Sequence, residues 1–238
     1  MRVVFFSDVH LKREDEARVP FVTRFIRDVS RGADMVFILG DIFEFYHGYD
    51  GYIYPWYRDV ADVMKEIARD RPVHYIEGNH EFGMGPFFQS YTGIACCNEM
   101  TVPIDGRKTF LSHGDELNSI PLKRILKSSP VCRLMDTLGP SLTWKIAMGF
   151  SLFLSKRTKP YNEKVKDRFR DYARRKLNEG YDNVIMAHTH IPDLVEYSQG
   201  DKKSTYVNTG ALTGTGSYAE YISGKGFSLK TTNSLDTE

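Results

Sequence analysis

The chain has 238 residues, 41% hydrophobic and 26% charged, with 32 Lys+Arg against 31 Asp+Glu for a formal net charge of +1, a balance that excludes disordered and collagen-like chains. This length buries a core unaided and fits one domain, or one domain carrying an insertion, better than two independent ones. Three cysteines, two of them the adjacent pair Cys96 and Cys97, form no disulfide framework, which points to a reducing compartment and a cytosolic protein.

The first apolar run, Arg2 to Phe6, reads as a strand; it is too short for a secretion signal, and no small-residue cleavage pattern follows it. Phe21, Val22, Phe25, Ile26 and Val29 then recur at helical spacing before Gly32. A second strand spans Met35 to Leu39, a second helix carries Val60, Val63, Met64, Ile67 and Ala68, and a third strand spans Val73 to Ile76. Thr109 to Leu111 and Val184 to Met186 read as the fourth and fifth strands. Strands alternating with helices define an α/β fold.

After Asn118 the alternation breaks. Pro121, Pro130, Gly139-Pro140, Gly149 and Pro160 punctuate a stretch that reads as a helical insertion over the core, from Asn118 to about Tyr161 (residues 118–161 of a single domain, 1–238). A helix from near Asn162 to Gly180, with Val165, Phe169, Tyr172, Ala173 and Leu177 on one face, returns the chain to the sheet. Strands separated by glycine-rich segments follow between Thr205 and Lys230, and Thr231 to Glu238 reads as a polar tail.

The near-neutral net charge hides an asymmetry. Leu122 to Gly180 holds 15 Lys+Arg and 5 acids, a local excess of +10 that leaves −9 for the remainder. The same segment contains the most apolar run, Ile146 to Leu154, whose nine residues fall well short of the about 20 needed to span a bilayer. Basic and apolar residues together suit an anionic partner with a greasy part, such as a phospholipid surface or an anionic lipid; the other reading is a solvated helix face.

The chemistry lies at the strand ends. Strand one ends in Ser7-Asp8-Val9-His10, strand two in Gly40-Asp41-Ile42-Phe43-Glu44, strand three in Gly78-Asn79-His80-Glu81, strand four in Ser112-His113-Gly114-Asp115 and strand five in Ala187-His188-Thr189-His190. In open α/β sheets ligands bind outside the carboxyl ends of the strands, so groups this far apart in sequence can converge. Carboxylate, imidazole and amide oxygen donors suit a hard or borderline divalent metal, and there are enough for two ions. His74 alternates with Val73 and Tyr75 in a strand, and His47 lies in an aromatic loop with Phe45, Tyr46, Tyr49 and Tyr52; neither is expected to act.

This ordered set resembles the calcineurin-like metallophosphoesterases, whose motifs run Asp-x-His, Gly-Asp-x-x-Asp, Gly-Asn-His-Asp/Glu, His and Gly-His-x-His. The resemblance spans Asp8 to His190. It implies a layered sandwich of two central mixed β-sheets flanked by helices, here with a helical lid. It further implies that Asp8, His10 and His190 bind one metal, that Asn79, His113 and His188 bind the other, and that Asp41 bridges both. Two such ions, held about 3.5–4 Å apart, activate a water and clamp the oxygens of an in-line phosphoryl displacement. His80 would contact the phosphoryl group together with Asn79 and protonate the leaving oxygen, with Glu44 orienting it or serving as a helix N-terminal charge. Asp115 is either a partner of His113 or a turn residue. Ala187 stands where the family has Gly, and Glu44 and Glu81 where it more often has Asp; neither change removes a ligand.

Within that superfamily, the length, the Gly-Asp-Ile-Phe-Glu segment, the aromatic loop after it and the basic insertion resemble the UDP-2,3-diacylglucosamine pyrophosphatases of bacterial lipid A synthesis. The resemblance implies cleavage of an acylated UDP-sugar to UMP and 2,3-diacylglucosamine 1-phosphate, usually with Mn²⁺, and peripheral contact with the anionic inner face of the inner membrane. Ile146 to Leu154 would then form an acyl groove or plain lid core, and Ser155, Asn162, Lys164 and Lys166 are the counterparts of the family's sugar-contacting lid residues. Two departures stand: that family often has Arg at His80 and acids where this chain has Asn118-Ser119-Ile120-Pro121. The alternatives are a phosphodiesterase or phosphatase acting on another nucleotide, nucleic acid or lipid phosphate, and a metal-free binding scaffold. Nucleic acid gives Ile146 to Leu154 no exposed use, and the scaffold conflicts with a full ligand set.

Overall fold

In chain order the elements are β1 (Arg2–Phe6), α1 (Val19–Ser30), β2 (Met35–Ile38), α2 (Arg58–Ala68), β3 (Val73–Ile76), α3 (Gly85–Thr92), β4 (Ala95–Cys97), β5 (Glu99–Ile104) and β6 (Arg107–Ser112), followed by α4 (Ser129–Ser155), α5 (Glu163–Asn178), β7 (Asn183–Met186), β8 (Asp193–Gln199), β9 (Lys202–Asn208), β10 (Ser217–Ile222) and β11 (Gly226–Thr231). The computed structural model describes residues 1–117, 127–155, 163–200 and 202–232.

Side-chain alternation along the strands explains the layering. Val3 and Phe5 of β1 enter one apolar core while Val4 and Phe6 enter another. In β7, Ile185 shares the core of Val3 and Phe5, and Val184 and Met186 enter a third. A strand buried on both faces has no polar side, which is why these segments read as continuous apolar runs. The middle core lies between a six-stranded sheet, β11-β10-β1-β2-β3-β4, and a five-stranded sheet, β5-β6-β7-β9-β8. Helices α1 to α3 cover the first sheet, and α5 covers the second through Phe169, Ala173 and Leu177. The fold is an α/β sandwich of two mixed sheets flanked by helices.

The two parallel sets place the site. β1, β2, β3 and β4 run parallel, as do β6, β7 and β9, so five of these strands deliver their carboxyl ends to one edge of the sandwich. The Asp8 side chain after β1 reaches the backbone N–H of His188 after β7 at 3.2 Å, which joins the two sheets at that edge.

Helix α4 breaks at Gly139, whose φ of 74° and ψ of 166° leave the helical region just before Pro140; Pro lacks the N–H that would continue the helix. Both halves dock on the aromatic segment after β2: the Trp144 ring of the second half lies 5.1 Å from that of Trp56, and the Tyr49 hydroxyl donates to the Met135 carbonyl of the first half at 3.0 Å. Leu134, Leu142 and Ile146 remain exposed. Among the described residues no helix is long and apolar enough to cross a membrane.

Three strands go beyond the sequence reading. β4 is three residues long and β8 lacks an apolar run, so neither carries a strong signal. β5 is an edge strand whose exposed positions alternate with half-buried ones, and it holds Pro103, which an edge tolerates because no second neighbour needs its N–H. β2 ends one residue earlier than expected, and β11 extends into the expected tail. The segments 118–126, 156–162 and 233–238 lie outside the described residues, and with them Asn118 to Pro121, both ends of the expected lid, Asn162 and most of the tail.

Candidate metal centre

The loops at this edge are held in unusual backbone conformations. Among the described residues six non-glycines have positive φ, and five of them are Asp8 (54°), His10 (51°), Asp41 (54°), His188 (70°) and His190 (57°). Side-chain-bearing residues adopt this region at a cost of about 1–3 kcal/mol, so its concentration here marks loops that their surroundings over-determine.

Buried Glu81 supplies much of that constraint. Its Oε2 accepts the N–H groups of Asp41 (2.9 Å) and Gly78 (2.7 Å), and its Oε1 accepts the Ile42 N–H (3.1 Å) and the Tyr75 hydroxyl (2.8 Å). One carboxylate thus ties the loop after β2 to the loop after β3. The loops also touch directly: a Cβ on Gly78 would overlap the Asp41 carboxylate, and one on Gly40, at φ 83°, would overlap the Gly78 backbone. Only glycine permits that approach.

Each metal-site carboxylate has one oxygen tied to the scaffold and one turned inward. Asp8 Oδ2 accepts the Ser7 hydroxyl (2.6 Å) and the His188 N–H (3.2 Å), while Oδ1 faces His190 Nε2 (3.2 Å) and His10 Nε2 (3.6 Å). Asp41 Oδ1 accepts the His80 N–H (2.8 Å), while Oδ2 faces His113 Nε2 (3.2 Å) and His10 Nε2 (4.0 Å). His113 Nδ1 donates to the Leu39 carbonyl at 2.6 Å, which leaves Nε2 as the lone-pair nitrogen turned to the site.

The donor set fits divalent cations on three counts. Asn79 Oδ1 is buried with no hydrogen-bond partner among the described residues, which is costly for a polar atom unless an ion meets it, and the buried Asp8 Oδ1 faces the imidazole nitrogens of His190 and His10. His10 Nε2 lies 3.2 Å from His190 Nε2, and His113 Nε2 lies 3.2 Å from His188 Nδ1; nitrogens sharing one ion at about 2.1 Å are roughly 3 Å apart. Asp8, His10 and His190 form one cluster of donor atoms and Asp41, His113 and His188 another, with a third group of His10, Asp41 and His80 between them.

The electrostatics follow from the packing. Burial disfavours the charged form of His10, yet Asp8, Glu44 and Asp41 outweigh it and push His10 up to about 10. Burial likewise disfavours the charged form of His113, but Asp41 and Asp8 raise it to about 10. Burial would raise Asp8 and Asp41, yet the surrounding imidazoles hold both well below the usual carboxylate range. Metal uptake must therefore displace protons from imidazoles, and affinity rises with pH.

His80 and Glu44 are arranged differently from the sequence expectation. His80 Nδ1 lies 2.6 Å from the backbone carbonyl of Glu44, so the carbonyl orients the ring. The Glu44 carboxylate is 4.0 Å from His80 but 3.4 Å from His10 Nδ1, because the chain turns after β2 so that the side chain points back at the β1 loop. Burial lowers the pKa of His80. Asp115 lies in a short 3₁₀ turn and favours the charged form of His113 through space.

Other sites fall elsewhere. Lys164 is exposed on α5, and Lys166 pairs with Glu163 at 3.5 Å; the side chain of Ser155, like Asn162, lies outside the description. His47, set aside from the sequence, is buried, and its Nε2 sits 2.8 Å from Asp136 Oδ1, pinning α4 to the aromatic loop. No local pattern signals that pair, whose members are 89 residues apart. Glu81 was visible in its motif, but nothing local announces four donors.

A family model described as calcineurin-like phosphoesterase matches residues 1–192. A UDP-2,3-diacylglucosamine hydrolase of Coxiella burnetii (strain Dugway 5J108-111) is 26% identical over 234 residues, covering 95% of this chain and 96% of its own. One of Shewanella baltica (strain OS195) is 27% identical over 210 residues, covering 84% and 86%. In fold, a hypothetical protein of Pyrococcus horikoshii OT3 aligns with a TM-score of 0.50 at 11% identity, over 98% of this chain and 88% of that one.

Proposed function

The chain belongs to the calcineurin-like phosphoesterase family, and we propose on that premise that it hydrolyses the pyrophosphate of UDP-2,3-diacylglucosamine, releasing UMP and 2,3-diacylglucosamine 1-phosphate. It is a metal-dependent phosphoesterase. In this reading Asp8, His10 and His190 hold one ion, Asn79, His113 and His188 the other, Asp41 spans both, and Mn²⁺ is the native metal. Bound ions supply Lewis-acid polarisation of phosphoryl oxygens and a water of lowered pKa.

The observation that carries the substrate is the surface of α4, which leaves Leu134, Leu142 and Ile146 exposed although its neighbour Trp144 is anchored on Trp56. Exposed apolar side chains on an anchored helix suit acyl chains. The naming of relatives that match nearly the whole chain supports the same substrate. Residues 118–161 form the lid, and its Lys and Arg excess favours peripheral contact with an anionic membrane on its cytoplasmic side. Ser155, Asn162, Lys164 and Lys166 are proposed to contact the sugar, and the Glu44 carboxylate to hold His10.

His80 is the proposed group on the phosphoryl oxygens. With Nδ1–H spent on the Glu44 carbonyl, Nε2 is the nitrogen left to share a proton with substrate or water. His80→Ala is expected to lower kcat about 100-fold while metal content, measured by mass spectrometry of the purified protein, stays at the wild-type level. Loss of both ions in that variant would make His80 a ligand.

The substrate is tested by incubating the Mn²⁺-loaded protein with UDP-2,3-diacylglucosamine and resolving the products. UMP with the acylated sugar 1-phosphate is the expected result. An intact lipid beside a cleaved generic phosphodiester sends the activity to another nucleotide or lipid phosphate.

A further inference from the structure

Lys127 stands at the foot of α4, two residues before the helix begins. Its Nζ donates to the Gly78 carbonyl at 2.6 Å, so a cation from the insertion rests on the residue immediately before Asn79 and His80. The side chain is half-buried, and among the described residues no carboxylate lies within ion-pair distance of it. An ammonium carries three donors and accepts nothing. One is met by Gly78, and a partly desolvated cation with no counter-ion among the described residues, seated on the residue before Asn79, calls for an anion.

The loop beneath it is rigid: the Gly78 N–H is held by Glu81, and Gly78 packs against the Asp41 carboxylate. Lys127 is therefore tied, through the Gly78 carbonyl, to the loop that packs on Asp41 and carries Asn79, and as an ammonium it is not itself a metal donor. A substrate with a single phosphoryl group, seated among those donors, leaves it unanswered. A pyrophosphate presents a second anionic phosphoryl beside the first.

We propose that Lys127 is a specificity residue that binds the second phosphoryl group of a pyrophosphate substrate. This rests on the reading of the site as a pyrophosphatase and deepens it. When water forms a new bond to one phosphorus and gives up its proton to solvent, the bridging P–O bond breaks, its electron pair stays on the departing phosphate, and the ammonium of Lys127 meets the charge that develops there.

The test uses the full-length, Mn²⁺-loaded protein and two stable probes, methylenediphosphonate and methylphosphonate, with affinities measured by calorimetry. Wild-type protein is expected to prefer the diphosphonate. Lys127→Met, which keeps the apolar stem and removes the charge, is expected to weaken the diphosphonate about 10- to 100-fold and the monophosphonate less than about 3-fold, while Lys127→Arg restores most of the preference. Equal loss for both probes would mean a purely structural lysine and overturns the proposal, as does a variant that binds both like wild type, or a wild type with no preference. The probes contain neither uridine nor acyl chains. Failure to cleave UDP-2,3-diacylglucosamine with a Lys127-dependent preference intact therefore counts against the lipid substrate alone, and cleavage without that preference counts against Lys127 alone.

Discussion

Asp41→Ala is expected to lower turnover by about 1000-fold or more, the loss of several kcal/mol of transition-state stabilisation, and to leave the purified protein with fewer bound ions than wild type. The reason is geometric. Asp41 Oδ2 is the oxygen turned toward both His113 and His10, while Oδ1 holds the His80 N–H, so one side chain serves both donor clusters and the loop between them. Steady-state kinetics and metal analysis on the same preparation check the two effects together. A variant with native circular dichroism and wild-type-like turnover would falsify the proposed bridging role.

Glu81→Gln changes one oxygen to an amide nitrogen and should act on stability and turnover at once. A glutamine keeps one acceptor for two of the four donors and turns an N–H₂ toward the others, leaving them unsatisfied in a buried site. At about 1–3 kcal/mol for an unsatisfied buried group, the melting temperature falls by roughly 5 °C or more. Whichever way the amide turns, either the Asp41 or the Ile42 N–H loses its acceptor, so the loop after β2 loosens and kcat falls about 10- to 100-fold with the substrate's KM less affected. Calorimetric melting with and without Mn²⁺ checks the first part. It also carries a pH signature: burial and the nearby Asp41 charge push Glu81 up to about 7, above its unfolded value of 4.5. The folded protein then binds more protons than the unfolded chain, so this group's contribution is fully present below about pH 4.5 and is lost as pH rises through about 7. A cation on Asp41 offsets the repulsion, so the Mn²⁺-induced rise in melting temperature in the wild type is larger at pH 8 than at pH 6. A gain that is equal at both pH values removes this account of Glu81.

The strand ends were legible because their chemistry is local. A fully buried parallel strand must be an apolar run, and the residue after it must leave the sheet, so Phe6-Ser7-Asp8 and Met186-Ala187-His188 announce both the strand and the position of the candidate ligand. Helices α1, α2 and α5 were legible through the spacing of their buried faces. Edge elements were not. β5 is half-exposed and β4 is only three residues long, and their pairing rather than their composition makes them strands.

The α/β class, the order of the donor-bearing strand ends and the chemical type of the donors are readable from the chain alone, because apolar periodicity and residue identity are written along it. Which atoms meet is set by the three-dimensional packing. It turned the Glu44 carboxylate to His10 and its carbonyl to His80, gave Glu81 its four donors, set His47 against Asp136, and brought Lys127 onto Gly78 from 49 residues away. These are contacts between loops, and a loop's direction is set by the packing of the strands and helices that carry it, which no local pattern encodes.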